Sequence, residues 1–343
     1  MSGRSATLMR RLMAHLISLF TLLGMMLLPP MSAQAGAPRP APNSPPTVSA
    51  VRLQCRYYVF LPAVLTSSGA GSGTPSPAIP AQADFNGDGY ADLAIGVPGE
   101  DVAGTADAGA VNILYGGVSG LSVDGNQIFT QQDTPSAVPE QDDAFGSALT
   151  AGDFDGNGCT DLVVGVPDES VGTTDDAGAV YVFYGFPRTG LDTSTVEPWY
   201  QGKDIQESVE TLDYFGAAMA AGDFDQDGYD DLVVGAPFEE IDGQNAAGVV
   251  HVLQGSATGI TGTDDQYFSQ TSIGSDSESL DQFGSAFAVG DYNGDGYPDL
   301  AVGAPGETLE SANASESGAV YVLYGTSNGL TTADYDATLS IYA

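Results

Sequence analysis

Positive charge is scarce in this 343-residue chain: 8 Lys and Arg stand against 45 Asp and Glu, a formal net charge of -37. A surface that acidic repels phosphate backbones and anionic lipid heads and attracts cations, which argues against nucleic acid as a partner. Cysteine is almost missing too. Cys55 and Cys159 stand alone, so the disulfide framework of small secreted domains is excluded and at most one bridge could join them. Histidine occurs only as His15 and His251, and there is no Gly-x-Ser-x-Gly elbow, His-Glu-x-x-His pair, phosphate loop or dinucleotide fingerprint. Motif-borne hydrolase, zinc-protease and nucleotide chemistries therefore have no footing. A carboxylate-based glycan-degrading enzyme survives this test, because acids are plentiful. No long apolar run follows residue 28, so nothing later in the chain reads as a membrane-spanning helix.

What is present begins with a leader. Arg4, Arg10 and Arg11 precede an apolar run from Leu12 to Leu28, which Pro29-Pro30 closes before Ala33-Gln34-Ala35. A basic start, a short apolar core and a small-residue end predict a signal peptide over residues 1–35. The mature chain is then expected outside the cell, secreted or at the cell surface, with no membrane insertion after cleavage. It would hold five basic against 45 acidic residues, a formal charge of -40. Residues 36–80 are rich in Pro, Ser, Gly and Ala and read as a linker, since such composition buries too little apolar surface to order itself. The strand-like island Tyr57 to Leu65 interrupts it.

From residue 81 to 343 the chain repeats. Segments beginning at Asp84, Asp153, Asp223 and Asp291 start 69, 70 and 68 residues apart, giving units near 81–144, 145–214, 215–282 and 283–343. Within each unit, apolar runs of four to seven residues are rich in Val, Tyr and Phe and bounded by Gly or Pro, which are strand signals. In the run Ala179 to Tyr184 neither alternate set of side chains is polar, so both faces should be covered. Sheets stacked radially around an axis cover both faces. The expected fold is accordingly all-β, a β-propeller of four-stranded antiparallel blades.

Each unit also carries Asp-x-[Asp/Asn]-x-[Asp/Asn]-Gly-x-x-Asp-Leu. The four sets are Asp84, Asn86, Asp88 and Asp92; Asp153, Asp155, Asn157 and Asp161; Asp223, Asp225, Asp227 and Asp231; and Asp291, Asn293, Asp295 and Asp299. Side-chain oxygens at positions 1, 3, 5 and 9 with a backbone carbonyl at position 7 form the hard oxygen cage that Ca²⁺ prefers, and Gly at position 6 permits the sharp turn. An EF-hand would need a bidentate Glu at position 12, where Ile95, Val164, Val234 and Val302 stand instead. About four calcium sites in β-hairpin loops are expected. Other acids recur as well: Glu100, Glu169, Glu239 and Glu307 follow the Pro by two residues, and Asp143, Asp213 and Asp281 precede the Phe by two. One active site does not need repeated copies, so structural or rim roles are expected for them. His251, aligned with Asn112, Tyr181 and Tyr321, reads as a packed or rim residue rather than a base.

Phe145-Gly146, Phe215-Gly216 and Phe283-Gly284, paired with Gly96-Val97-Pro98, Gly165-Val166-Pro167, Gly235-Ala236-Pro237 and Gly303-Ala304-Pro305, resemble the FG-GAP repeats of the integrin α-subunit N-terminal propeller. The resemblance implies a propeller with calcium loops on one rim and a part in cell adhesion or extracellular recognition of a protein or glycan. It fails in two respects. The implied propeller has more blades than four, and Ser76 stands in the first repeat where the others have Phe. A longer propeller cut short, an unusual four-bladed ring and an open array all remain open, and truncation fits the length of the last unit best. The competing function is the substrate-binding or catalytic part of a polysaccharide-degrading enzyme, with Trp199, Tyr200, Tyr267 and Phe268 as candidate groove residues.

Overall fold

The computed structural model describes residues 83–135, 137–308 and 318–332. The expected signal peptide, the linker, the island Tyr57 to Leu65 and Cys55 lie outside these residues. Every described residue belongs to one compact unit.

Valine-rich runs become strands as their β-branched side chains suggest. The first sheet holds β1 (Leu93–Val97), β2 (Ala110–Tyr115) and β3 (Ser122–Phe129). The second holds β4 (Ala148–Gly152), β5 (Asp161–Val166) and β6 (Ala179–Phe183). Past the small hairpin β7 (Gly185–Phe186) and β8 (Gly190–Leu191), the two-residue β9 (Pro198–Trp199) completes it. The third runs β10 (Ala218–Gly222), β11 (Asp231–Ala236), β12 (Val249–Gln254) and β13 (Thr261–Phe268). The fourth runs β14 (Ala286–Gly290), β15 (Asp299–Ala304), β16 (Ala319–Thr326) and β17 (Gly329–Thr331). All ladders within these sheets are antiparallel, and the one helical element among the described residues is a 3-10 turn at Gln131–Asp133.

The central strands are covered on both faces, as expected: every residue of β5 and of β6 is buried. The cover comes from the neighbouring sheets. Leu162 and Val164 pack with Val111 and Ile113 of the first sheet, whereas Val163 packs with Leu232 and Val234 of the third. Val233 in turn packs with Leu300 and Val302 of the fourth. Alternation along one strand thus sends successive side chains into two different cores, which stacks the four sheets in chain order. Their first strands lie side by side, β4 against β1 and β10 between β4 and β14.

The Phe-Gly pair is not inside a strand: Phe145 bridges Gly109, and β4 begins only at Ala148. Gly146, Gly216 and Gly284 have φ of 90°, 91° and 90°, a left-handed turn that delays the ladder by two residues. The Phe rings still fill the space between sheets, all three with no exposed surface. Each meets the third-strand residue at one register: Phe145 with Tyr181 at 5.7 Å, Phe215 with His251 at 5.6 Å and Phe283 with Tyr321 at 5.5 Å between ring centroids. Among the described residues the first sheet has three strands, and the segment preceding Asp84 falls outside them.

Candidate metal centres

The last three Asp loops join β4 to β5, β10 to β11 and β14 to β15, and the first leads into β1, all at one edge of the sheets. Their local geometry is a chain of side-chain turns. In the second loop Asp153 Oδ1 accepts from the Asn157 N–H at 3.1 Å and Oδ2 from that of Gly158 at 3.0 Å. Asp155 Oδ1 accepts from the Asn157 N–H at 3.0 Å and Asn157 Oδ1 from that of Cys159 at 2.7 Å. The same pattern holds Asp84, Asn86 and Asp88; Asp223, Asp225 and Asp227; and Asp291, Asn293 and Asp295. These bonds hold positions 1, 3 and 5 of each loop within one tight turn.

The ninth position differs. Asp161 is fully buried, and its two oxygens accept from the N–H of Phe154 at 2.9 Å and of Gly185 at 2.8 Å. Asp92 receives Phe85 and Gly116 in the same way, Asp231 receives Phe224 and Gly255, and Asp299 receives Tyr292 and Gly325. Each ninth Asp therefore ties its loop to the end of the third strand. A carboxylate oxygen has further lone-pair directions, so this tie is compatible with coordination.

Three acids of the second loop, Asp153, Asp155 and Asp161, each bring one oxygen within 4.8 Å of the others, and so do Asp223, Asp225 and Asp227 of the third. Oxygens at that spacing fit around a cation with bonds of about 2.4 Å, so the donor set suits Ca²⁺. In the first and fourth loops Asn86 and Asn293 replace a carboxylate with an amide. The cost of the arrangement without a cation is legible in the proton affinities. Burial first, and then the charges of Asp155 and Asp153, push Asp161 up to about 8. Burial likewise raises Asp231 to about 7 and Asp92 to about 6.

A second group of acids lies at the other edge of the sheets. Asp143, Asp213 and Asp281 are buried, and each accepts the backbone N–H three residues earlier, from Glu140, Glu210 and Glu278. Gln131 donates to Glu169, Gln201 Nε2 to Glu239 at 2.7 Å, and Gln270 to Glu307. These glutamines escaped the reading of the motifs, although they fall 14, 14 and 13 residues before the Phe of the next repeat. Burial, then the Asp143 charge, raises Glu169 to about 8, and burial with Asp213 does the same to Glu239.

His251 is fully buried, with Nδ1 3.2 Å from Asp265, and is a packed residue. The four candidate groove aromatics are packing residues as well. Trp199 and Tyr267 lie against the core between the second and third sheets, Tyr200 against the one before it, and Phe268 is buried in the one after.

Sheets of this order carrying an Asp loop in each repeat and a Phe-Gly turn in the last three define the class, and the FG-GAP repeat family model matches residues 76–114, 145–183, 215–253 and 283–323. The chain is an FG-GAP repeat protein resembling the integrin α subunit. It is 34% identical to integrin alpha-PS5 of Drosophila melanogaster over 164 residues, 47% of this chain and 15% of that protein. It is 35% identical to the phosphatidylinositol-glycan-specific phospholipase D of Rattus norvegicus over 159 residues, 46% of this chain and 18% of that protein. The chain thus spans less than a fifth of either relative. Among solved structures, an exotype rhamnogalacturonan lyase superposes with a TM-score of 0.39 at 13% identity, covering 70% of this chain and 43% of the lyase. No helix of the described residues is long and apolar enough to cross a membrane.

Proposed function

We propose that this chain is an extracellular β-propeller segment that recognises a protein or glycan partner, with calcium in the Asp loops stiffening the scaffold rather than doing chemistry. The observation that carries the reading is the convergence of Asp153, Asp155 and Asp161, and of Asp223, Asp225 and Asp227, in loops of the same design at one edge of successive sheets. Face-to-face stacking of the sheets with their first strands side by side supports a propeller. The likeness to integrin α subunits supports extracellular recognition, as an analogy of fold. That Phe268 is buried and Trp199, Tyr200 and Tyr267 pack, partly buried, against cores between sheets favours a binding module over a polysaccharide-degrading enzyme.

The test has two parts. Equilibrium dialysis of the mature chain against Ca²⁺ should find bound metal at neutral pH, and a metal-free result overturns the calcium reading. A glycan array and a reducing-sugar assay on the same preparation separate binder from enzyme: sugar release would replace recognition by catalysis.

A further inference from the structure

Each internal junction between sheets carries the same small joint. The turn after the third strand brings Gly190-Leu191 in the second repeat, Gly259-Ile260 in the third and Gly329-Leu330 in the fourth. A Cβ built on Gly190 would strike the Tyr115 hydroxyl, one on Gly259 the Tyr184 hydroxyl and one on Gly329 the Gln266 amide, groups of the preceding repeat in every case. The next residue is held there too. The Leu191 N–H donates to Gln127 at 3.3 Å, that of Ile260 to Tyr184 at 3.0 Å and that of Leu330 to Gln266 at 2.9 Å, and all three side chains are buried.

The two ends of the stack hold the halves of this joint apart. In the first repeat Gly120-Leu121 stands at the same position, yet among the described residues nothing lies within 4 Å of a Cβ on Gly120. Leu121 is 52% exposed, against 3% for Leu191. Leu93 and Ile95, at the positions where Leu162 and Val164 receive Val111 and Ile113, are only half-buried, and Ile128 on the same face of the sheet is 57% exposed. At the other end Tyr324 stands where Tyr115 and Tyr184 do. Val320 and Val322, at the positions by which Val250 and Val252 bury themselves against β15, are half-buried as well.

What fits the far end is a Gly-Leu or Gly-Ile turn, and the sequence holds four, three of them engaged inside the chain and the fourth Gly120-Leu121. Residues outside the described ones contain neither dipeptide. Because one chain leaves Gly120 open, the matching half in this sequence comes from a second copy.

We propose that copies of this chain stack head to tail, with Val320, Val322 and Tyr324 of one copy packing on Leu93, Ile95 and Leu121 of the next. Head and tail are different surfaces, so the contact is heterologous and either closes into a ring or runs on as a filament. It is weaker than the junctions inside the chain, because Ser76-Pro77 stand where those have Phe-Gly. Both copies are acidic, so association strengthens as salt screens their repulsion. The pairing needs neither bound calcium nor a recognised ligand, and it stands or falls apart from those readings.

Sedimentation velocity of the full chain in high salt tests it, and mass should rise with concentration. Leu121→Asp, a change at an exposed position that leaves the melting temperature in place, should weaken association about tenfold or more by bringing an unpaired charge into an apolar contact. In a Cys55→Ser background, Leu121→Cys and Tyr324→Cys chains should form a disulfide dimer when mixed. A single size at every concentration, or association that Leu121→Asp leaves unchanged, overturns the proposal. So do disulfide dimers formed as readily by either cysteine variant alone. A disulfide formed inside one chain carrying both substitutions overturns it as well, since that chain would be closing on itself.

Discussion

A Cβ built on Gly178 would lie 2.2 Å from the carbonyl oxygen of Phe215, the residue that opens the next repeat. The relation recurs between Gly109 and Phe145 and between Gly248 and Phe283, at 2.3 and 2.2 Å. In each case the Phe N–H donates to the carbonyl just before the Gly, as Phe215 does to Ala177 at 3.0 Å. Backbone therefore touches backbone at every junction, and only a residue without a side chain fits.

Gly178→Ala should accordingly cost about 2 kcal/mol, or roughly 4–8 °C in Tm, through a left-handed φ of +88° and a clash that no rotamer relieves. Gly172→Ala is the control. Its φ is +67°, yet nothing lies within 4 Å of its would-be Cβ, so it should lose clearly less in the same thermal melt. Equal losses would mean that the close approach to Phe215 contributes nothing.

Asp161 and Asp155 share a loop but should respond differently to chelation. Asp161→Asn removes an acceptor for a buried backbone N–H of Phe154 or Gly185, and should lower Tm even in excess chelator, by about 1–3 kcal/mol of stability. Asp155→Asn should leave the chelated melt nearly unchanged and reduce only the stabilisation that calcium adds. Calorimetry of both variants with and without calcium checks this.

Calcium itself should raise Tm in proportion to the logarithm of its free concentration. Each site contributes about 2.7 kcal/mol when calcium is one hundred times its dissociation constant, since the unfolded chain has no preformed cage. A melt that chelator leaves where it was would contradict a structural role for the ion.

In chelator, stability should fall as pH rises. Burial lifts Asp161, Glu169 and Glu239 to about 8 and Asp213 and Asp231 to about 7. In the unfolded chain these groups titrate near pH 4. Between those limits the folded state holds more protons, so the slope of unfolding free energy against pH is negative. The stabilisation is fully present below pH 4 and lost as pH climbs through 7 to 8. The metal-free chain should melt higher at pH 6 than at pH 8.5. Saturating calcium should flatten or reverse the trend, because the metal displaces the protons. A chelated melt that rises with pH would refute the assignment.

Much of this protein was determined by residues acting on near neighbours. Turn geometry at Asp153, Asp155, Asn157 and Gly158 is local hydrogen bonding, so the loops are visible in any one repeat. Valine runs such as Leu162 to Val164 declare strands buried on both faces, and the period near 69 residues declares repetition. Tertiary structure decided what no single window contains. It set Gln201 on Glu239, 38 residues away. It gave both oxygens of Asp161 to backbone N–H groups of two different segments. It also set Trp199 and Tyr267, partly buried, against the core between two sheets. The physical reason is that a loop's conformation is paid for by its own backbone, while partners across a repeat boundary meet only when stacking sheets squeeze water from between them.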